Sequence, residues 1–332
     1  MESFVKLMTV EKMNRPFLNM YAVNKDNSEM MTNIVFITHP FTRDECIEEY
    51  NKAKANGCRF LGLTSYSEFP HLISNPYDIL SNKNEKAWTN YNYCDLVDGW
   101  LYCFRNKEKY IDCSKPAILL SESDFTNHTY LKPDPNVKKE FDFIIVCLKD
   151  NDTCEPGWQS YNRGWSMAEK FLDMICSKYK LKGLLIGRIG CKMSSSCNKM
   201  MELTDFLDYS TFIKQYDRCK FAIFFNVTDA SPRCASESLV FNLPILMNED
   251  ILGGWKYVKS GVSGELFNES NFEEKLAFLL KNFTSYTPRE HFIKNFGIFN
   301  SGKKLKQFIK QVYNKDDLNF NLDNIEYLKP GI

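Results

Sequence analysis

Histidine is scarce in this chain, four in 332 residues, and none stands in a His/Asp cluster with the look of a divalent-metal site. An excess of one charge is missing too: 42 basic and 42 acidic residues cancel, so no bulk field draws nucleic acid. No run reaches the roughly 20 apolar residues of a membrane helix. The opening stretch MESFVKLMTVEKMNRPF mixes charged and apolar positions rather than forming a secretory leader. No Gly-x-Gly-x-x-Gly occurs, so a dinucleotide cofactor is not indicated. Cysteine, by contrast, is plentiful at twelve, but this is not a short secreted chain. Cys191 and Cys197 form a close pair without a second pair or a neighbouring histidine. The expectation is free thiols in a reducing, cytoplasmic compartment, with no zinc site.

What is present suits two domains. The 38.8 kDa chain is 44% hydrophobic and 14% aromatic, enough for sizeable cores. Residues 1–30 show no clear period and suggest a peripheral helix or an extended arm. Asn33–Thr38 reads as a strand, 42–56 as a helix stopped by Gly57, and Arg59–Leu63 as a second strand. An aromatic, Asn- and Ser-rich loop follows over 64–92. Asp98–Phe104 and Lys115–Leu120 read as further strands, and Ser121–Pro135, with two prolines, as an interdomain linker. A second α/β set then runs through strands at Phe141–Leu148, Gly183–Gly187 and Phe221–Phe225. Helices are expected over Met167–Tyr179, Phe212–Cys219, 270–282 and 302–314.

The stretch from Lys220 to Glu249 is the most informative. It reads as strand, tight turn, helix, turn, strand. Ser231 is placed as N-cap with Pro232 at the first helical position. Asn242 tolerates the left-handed position after the helix, and Pro244 prevents continuation. A helix that opens at the end of a buried strand aims unpaired N–H groups at the crevice above the sheet, a ready anion site. Asp229 lies just before that opening, and Glu237 lies about 9 Å down the axis at 1.5 Å per residue. A diphosphate at the helix tip would place one acid near a group on one side of it and the other acid near a group on the opposite side. Two sugars flanking a diphosphate fit this, because an ionised carboxylate is acceptor-only and takes two O–H donors.

Asp229, seven residues, Glu237, then an apolar segment and Pro244 resembles the acidic–x7–Glu signature of retaining glycosyltransferases of GT-B fold, particularly family four. Asn248–Gly254 is similar to the post-strand loop of that family. The chain departs from the pattern in having Asp229 where Glu is usual and Asn242 where Gly commonly closes the helix. The resemblance implies an α/β protein of two Rossmann-like domains facing an interdomain cleft. The N-terminal acceptor domain would span 1–135 and the nucleotide-sugar-binding domain 136–300. A C-terminal helix and tail over 301–332 would cross back to the first domain. It further implies that Glu237 binds the nucleotide ribose and Asp229 the donor sugar. Lys149 and Arg163, followed by Gly164, fall where the family places basic residues against the diphosphate.

Other residues complete the candidate list. Ser231 and Arg233 sit at the helix start, where a cation is unfavourable unless an anion is bound. Gly187, Arg188 and Lys192 follow the next strand as nucleotide contacts. His39 is placed to face the cleft and act on the acceptor or as a base, and His128 to reach the donor sugar. His71 and His291 have no supporting context. Tyr66, Phe69 and Trp88 offer either stacking faces for an acceptor sugar or packing between loops. A two-carboxylate hydrolase is disfavoured because Asp229 and Glu237 lie too far apart on one element.

The expected function is therefore transfer of a hexose or pentose from a nucleotide (UDP or GDP) diphosphate sugar to a glycan or glycoconjugate hydroxyl, with retention. No metal or other cofactor is expected, peripheral membrane contact is left open, and nucleic acid is not a partner. A non-catalytic carbohydrate- or partner-binding protein of the same shape, an inverting transferase and an epimerase remain as alternatives.

Overall fold

The computed structural model describes residues 11–66, 69–70 and 91–331; His71 and Trp88 lie outside them. The chain divides into two compact units. Unit 1 is drawn from residues up to 126 and from 296 onward, and unit 2 from 127–295.

Unit 1 is built on a six-stranded sheet of order β12-β1-β2-β3-β4-β5. Its strands are β1 (Phe17–Asn24), β2 (Glu29–Ile37), β3 (Arg59–Leu63), β4 (Trp100–Tyr102), β5 (Ala117–Leu119) and β12 (Ile325–Pro330). β12, β1 and β2 pair antiparallel, and β2 to β5 run parallel. The period-2 alternation of a strand sends Ile34 and Phe36 to one face of β2 and Val35 and Ile37 to the other. The first face packs on α10 (Gly297–Val312) through Leu305, Phe308 and Ile309. The second face meets Cys46 and Tyr50 of α1 (Asp44–Ala55). α1 carries Asp44 and Glu45 in its first turn and Lys52 and Lys54 in its last, matching the helix dipole at both ends. The short α2 (Tyr93–Leu96) precedes β4.

Two expectations change here. Residues 17–24, expected within a peripheral helix or an extended arm, form a strand of the sheet; its register shifts between Asn19 and Tyr21, which blurs the alternation. The boundary between the units falls after Thr126, inside the expected linker Ser121–Pro135, and the first part of that segment is built into unit 1. Ser121 and Asp124 form a reciprocal capping box on a short 3-10 turn, Ser123 to Phe125 are buried, and Ser301 Oγ donates to the Asp124 carbonyl at 2.8 Å.

Unit 2 carries a fully parallel sheet of order β11-β10-β9-β6-β7-β8. The strands are β6 (Phe141–Val146), β7 (Gly183–Ile186), β8 (Met201–Thr204), β9 (Cys219–Phe224), β10 (Ile245–Asn248) and β11 (Gly264–Phe267). Its helices, in chain order, are α3 (Trp158–Asn162), α4 (Trp165–Ser177), α5 (Ser195–Met200), α6 (Tyr209–Ile213), α7 (Arg233–Val240), α8 (Phe272–Lys281) and α9 (Pro288–Asn295). Near-continuous apolar strands such as Phe141–Val146 mark a sheet covered on both faces. α4 lays Trp165, Ala168, Leu172 and Ile175 against Phe143, Ile145, Phe221 and Ile223, the spacing of one helical face. α7 packs against β9 and β10. The expected helix over Phe212–Cys219 is replaced by α6 and a separate 3-10 turn at Tyr216–Arg218, with Cys219 already in β9.

Four cysteines correct the expectation of free thiols throughout. Cys94 is bonded to Cys113, and Cys154 to Cys191, with Cα atoms 6.1 and 5.7 Å apart. The partners are 19 and 37 residues apart in sequence, so no close spacing announced them. The placement of the chain in a reducing compartment loses the support it drew from free thiols.

Candidate functional site

In unit 2, β6 is first in the chain and has β7 on one side and β9 on the other. The direction of winding reverses between β6 and β9, and in open α/β sheets a binding crevice forms beyond the carboxyl ends of the strands at such a reversal. The segments leaving these two strands hold most of the expected site.

Gly164 organises the first of them. It takes the left-handed conformation (φ 63°) between α3 and α4, and a Cβ there would lie 2.0 Å from the Phe225 carbonyl oxygen. Only glycine lets this corner rest on the end of β9. The corner is tied to the following loop: Val227 N donates to Asn162 O at 2.9 Å and Thr228 Oγ1 to Asn162 Oδ1 at 3.0 Å. Arg163 is thereby brought onto Asp229. Its Nη1 hydrogen-bonds Oδ2 of Asp229, and Asn226 Nδ2 donates to the same oxygen at 3.0 Å. The two side chains are 27% and 13% exposed, so the pair is partly open to solvent.

The loop after β10 backs this arrangement. Leu252 N donates to Val227 O and Gly253 N to Asp229 O, each at 2.9 Å. A Cβ on Gly253 would stand 1.8 Å from Ala230 O, and one on Gly254 (φ 84°) 2.2 Å from Pro232 Cγ. Two backbones therefore touch where α7 begins. The N-cap of α7 is Pro232 and the first helical residue is Arg233, one position later than expected. Ser231 thus lies in the loop rather than at the cap. No side chain caps the helix through Pro232, whose ring has no acceptor. Ser231 is partly exposed and Arg233 exposed beside this tip. At the other end Asn242 adopts φ 62° after the C-cap Phe241, the left-handed closure expected of it.

Glu237 faces inward. It is 1% exposed; Tyr209 donates to its Oε1 at 2.9 Å and Tyr216 to its Oε2 at 3.4 Å. Burial pushes its carboxyl up to about 7, against the opposing pull of the Tyr209 hydroxyl, Arg233 and the Tyr216 hydroxyl.

Arg188, read from sequence as a nucleotide contact, is built into the interior and is 1% exposed. Its guanidinium lies 3.9 Å over the Trp165 ring, and it donates to Ser160 Oγ at 2.6 Å and Cys147 Sγ at 3.4 Å. Ser160 Oγ in turn donates to Asp150 at 2.5 Å. Asp150, a residue that spacing did not single out, also accepts from the backbone N–H groups of Gln159 and Ser160 at 2.6 and 2.9 Å and so anchors the start of α3.

Lys149 reaches the Ile189 carbonyl and Asp152, both at 3.4 Å. Gly187 (φ 96°) packs on Leu148, where a Cβ would lie 2.4 Å from Cδ2. Lys192 is exposed next to the Cys154–Cys191 bond, which joins the loops after β6 and β7.

Within unit 2, His128 lies apart from this cluster. Arg289 donates to the His128 carbonyl at 2.9 Å and also to the carbonyl of Val240. His128 therefore sits by the C-terminal end of α7, about 12 Å along an eight-residue helix from the tip. Burial, then Arg289, lowers its pKa. His39 belongs to unit 1, where it shares a 2.8 Å hydrogen bond with Thr38 Oγ1 and stacks on Tyr66 with ring centroids 4.3 Å apart. Burial, then Arg15, lowers its pKa to about 4, so it is neutral near pH 7. Phe69 is fully buried in unit 1, the packing role of the two offered for it. Among the described residues no group of three or more His, Cys, Asp or Glu could hold a metal, and no helix is long and apolar enough to cross a membrane.

No protein-family model matches this sequence, and no curated protein does. Solved structures match well in fold. Staphylococcus aureus TarM superposes with a TM-score of 0.56 at 11% identity, over 85% of this chain and 59% of TarM. A glycosyltransferase from Rickettsia africae gives 0.55 at 13% identity over 85% and 77%. The pneumococcal O-GlcNAc transferase GtfA, solved with UDP and GlcNAc, gives 0.53 at 12% identity over 79% and 54%. This chain thus spans between half and three-fifths of the length of TarM and GtfA. At these identities the likeness speaks for architecture: two α/β units, one on a mixed sheet and one on a parallel sheet, the GT-B type of fold found in glycosyltransferases.

Proposed function

We propose that this protein is a glycosyltransferase that holds a nucleotide diphosphate sugar in unit 2 and transfers the sugar to a hydroxyl with retention of anomeric configuration. The contact between Arg163 and Asp229 at the sheet's reversal, beside the opening of α7, carries the reading. A phosphate on Arg163 and a sugar hydroxyl on Asp229 would be immediate neighbours, as they are in a sugar diphosphate. The first-turn amides of α7 and the guanidinium fork of Arg163 neutralise charge that grows on the leaving diphosphate. Asp229 accepts hydrogen bonds from the transferred sugar and Glu237 from the ribose. The leaving phosphate takes the acceptor proton on the face it departs from, so no strong protein base is needed. That role does not fall to His128, given its place by the far end of α7. Acceptor recognition is assigned to unit 1, where Tyr66 and His39 form a stacked pair. A UDP donor is favoured by analogy with the nucleotide bound in GtfA.

Calorimetry with UDP and uridine tests the diphosphate site. UDP should bind at least tenfold more tightly than uridine, and Arg163→Ala should remove most of that difference; equal affinities in the wild type would defeat the assignment. A melt screen against UDP-, GDP- and dTDP-sugars identifies the donor, and the anomeric configuration of the product decides retention.

One observation favours a second reading, a non-catalytic protein of the same fold: Glu237 is sealed by two tyrosines. Slow release of nucleoside diphosphate from a donor sugar argues for the enzyme, and its complete absence with tight sugar binding for the alternative.

A further inference from the structure

Of the two tyrosines on Glu237, one is fixed and the other is not. Tyr216 is fully buried and also approaches the Cys234 carbonyl at 3.2 Å, so it cannot leave without opening the core. Tyr209 is 51% exposed. It is the first residue of α6, a single turn whose start is set by Asp208 accepting from Thr211 N at 3.1 Å. A rotation of the Tyr209 side chain moves its hydroxyl off Oε1 while that backbone anchor stays in place.

The hydroxyl also has a particular chemistry. A ribose diol presents two O–H donors, and the phenol is an O–H donor already seated on the carboxylate oxygen that such a diol would seek. With Glu237 almost fully enclosed, phenol and ribose cannot both occupy Oε1.

We propose that Tyr209 is a displaceable cap on Glu237: its hydroxyl stands in for a ribose hydroxyl, and a nucleotide engages this carboxylate by exchanging one O–H donor for another. The inference rests on the reading of Glu237 as the ribose ligand. The exchange involves no covalent step; one hydrogen bond is broken and one is formed on the same oxygen. Nucleotide affinity is then set by the difference between two similar hydrogen bonds, and removing the phenolic oxygen removes the competitor while leaving the ring.

The test is UDP binding by calorimetry to wild type and Tyr209→Phe, with 2′,3′-dideoxy-UDP as control and a thermal melt to confirm folding. Tyr209→Phe should bind UDP about tenfold more tightly than wild type, and the dideoxy analogue with no gain. UDP binding that depends on Glu237 (lost in Glu237→Gln) yet is unchanged or weaker in Tyr209→Phe would overturn the cap while leaving the nucleotide site standing. Failure of both wild type and Tyr209→Phe to bind UDP would overturn the cap together with the site.

Discussion

Asp229 and Glu237 belong to one short stretch of chain, and their surroundings are opposite in kind. Asp229 sits in a loop where a guanidinium and an amide converge on one oxygen, and two glycines press a second backbone against it. Glu237 sits on the inner face of α7 against two neutral phenols. The first carboxylate is held by a cation in partial contact with solvent, whereas the second is held by uncharged donors in the interior. The sequence neighbours of an acid say little about its environment. Remote segments decide it: the α3–α4 corner for Asp229, and α6 with the turn at Tyr216 for Glu237.

The contrast can be broken most forcefully on the loop side. Gly253→Ala forces the Ala230 carbonyl away from the new Cβ and should cost on the order of 3 kcal/mol in denaturant unfolding. An unchanged midpoint would mean that the two loops are not in contact.

The Glu237 side is sharpened by pH. Its ordinary value is 4.5 and its folded value about 7. Below about 4.5 both folded and unfolded chains hold the proton; between the two values only the folded chain does. This contribution to stability is therefore full at low pH, falls as pH rises through that window, and is flat above it. At about 1.4 kcal/mol per pH unit the loss reaches roughly 3 kcal/mol. Glu237→Gln should remove it, read as the difference between wild-type and variant unfolding curves from pH 4.5 to 8. Parallel curves would show that the carboxyl is better solvated than its burial indicates.

The smallest effect belongs to the ion pair. A double-mutant cycle on Arg163→Met and Asp229→Asn should give a coupling of about 1 kcal/mol, because the pair is partly exposed. A coupling near zero would place the two side chains apart in solution.

The sequence was most readable where burial is simple. β6, β7, β9 and β10 are covered on both faces and appear as apolar runs stopped by turn residues. β8 (Met201–Thr204) is a half-exposed edge strand of only four residues, and β12 ends in Pro330 and pairs with β1 from the opposite side of the sequence; neither stands out locally. In the candidate site, spacing singled out Asp229 and Glu237, with the family resemblance adding Arg163. It missed Tyr209 and Tyr216, because an O–H donor on a buried acid leaves no local pattern. It turned Arg188 outward, because the Ser160 hydroxyl and the Trp165 face that hold it lie on α3 and α4 rather than beside it. Pro232 displaced Ser231 from the cap because its ψ of 92° lies outside the helix.

The pairing of β12 with β1, and the packing of α10 on the same sheet, have a bearing on how the molecule is made. Every described element of unit 2 lies in one uninterrupted run of chain, whereas the sheet of unit 1 is completed by residues that follow unit 2 in the sequence. A nascent chain halted at Asn295 contains every strand of the parallel sheet but lacks the helix that shields Met20, Ile34 and Leu61. Strands β1 to β5, which precede unit 2 in the chain, are therefore completed only after unit 2 has been made.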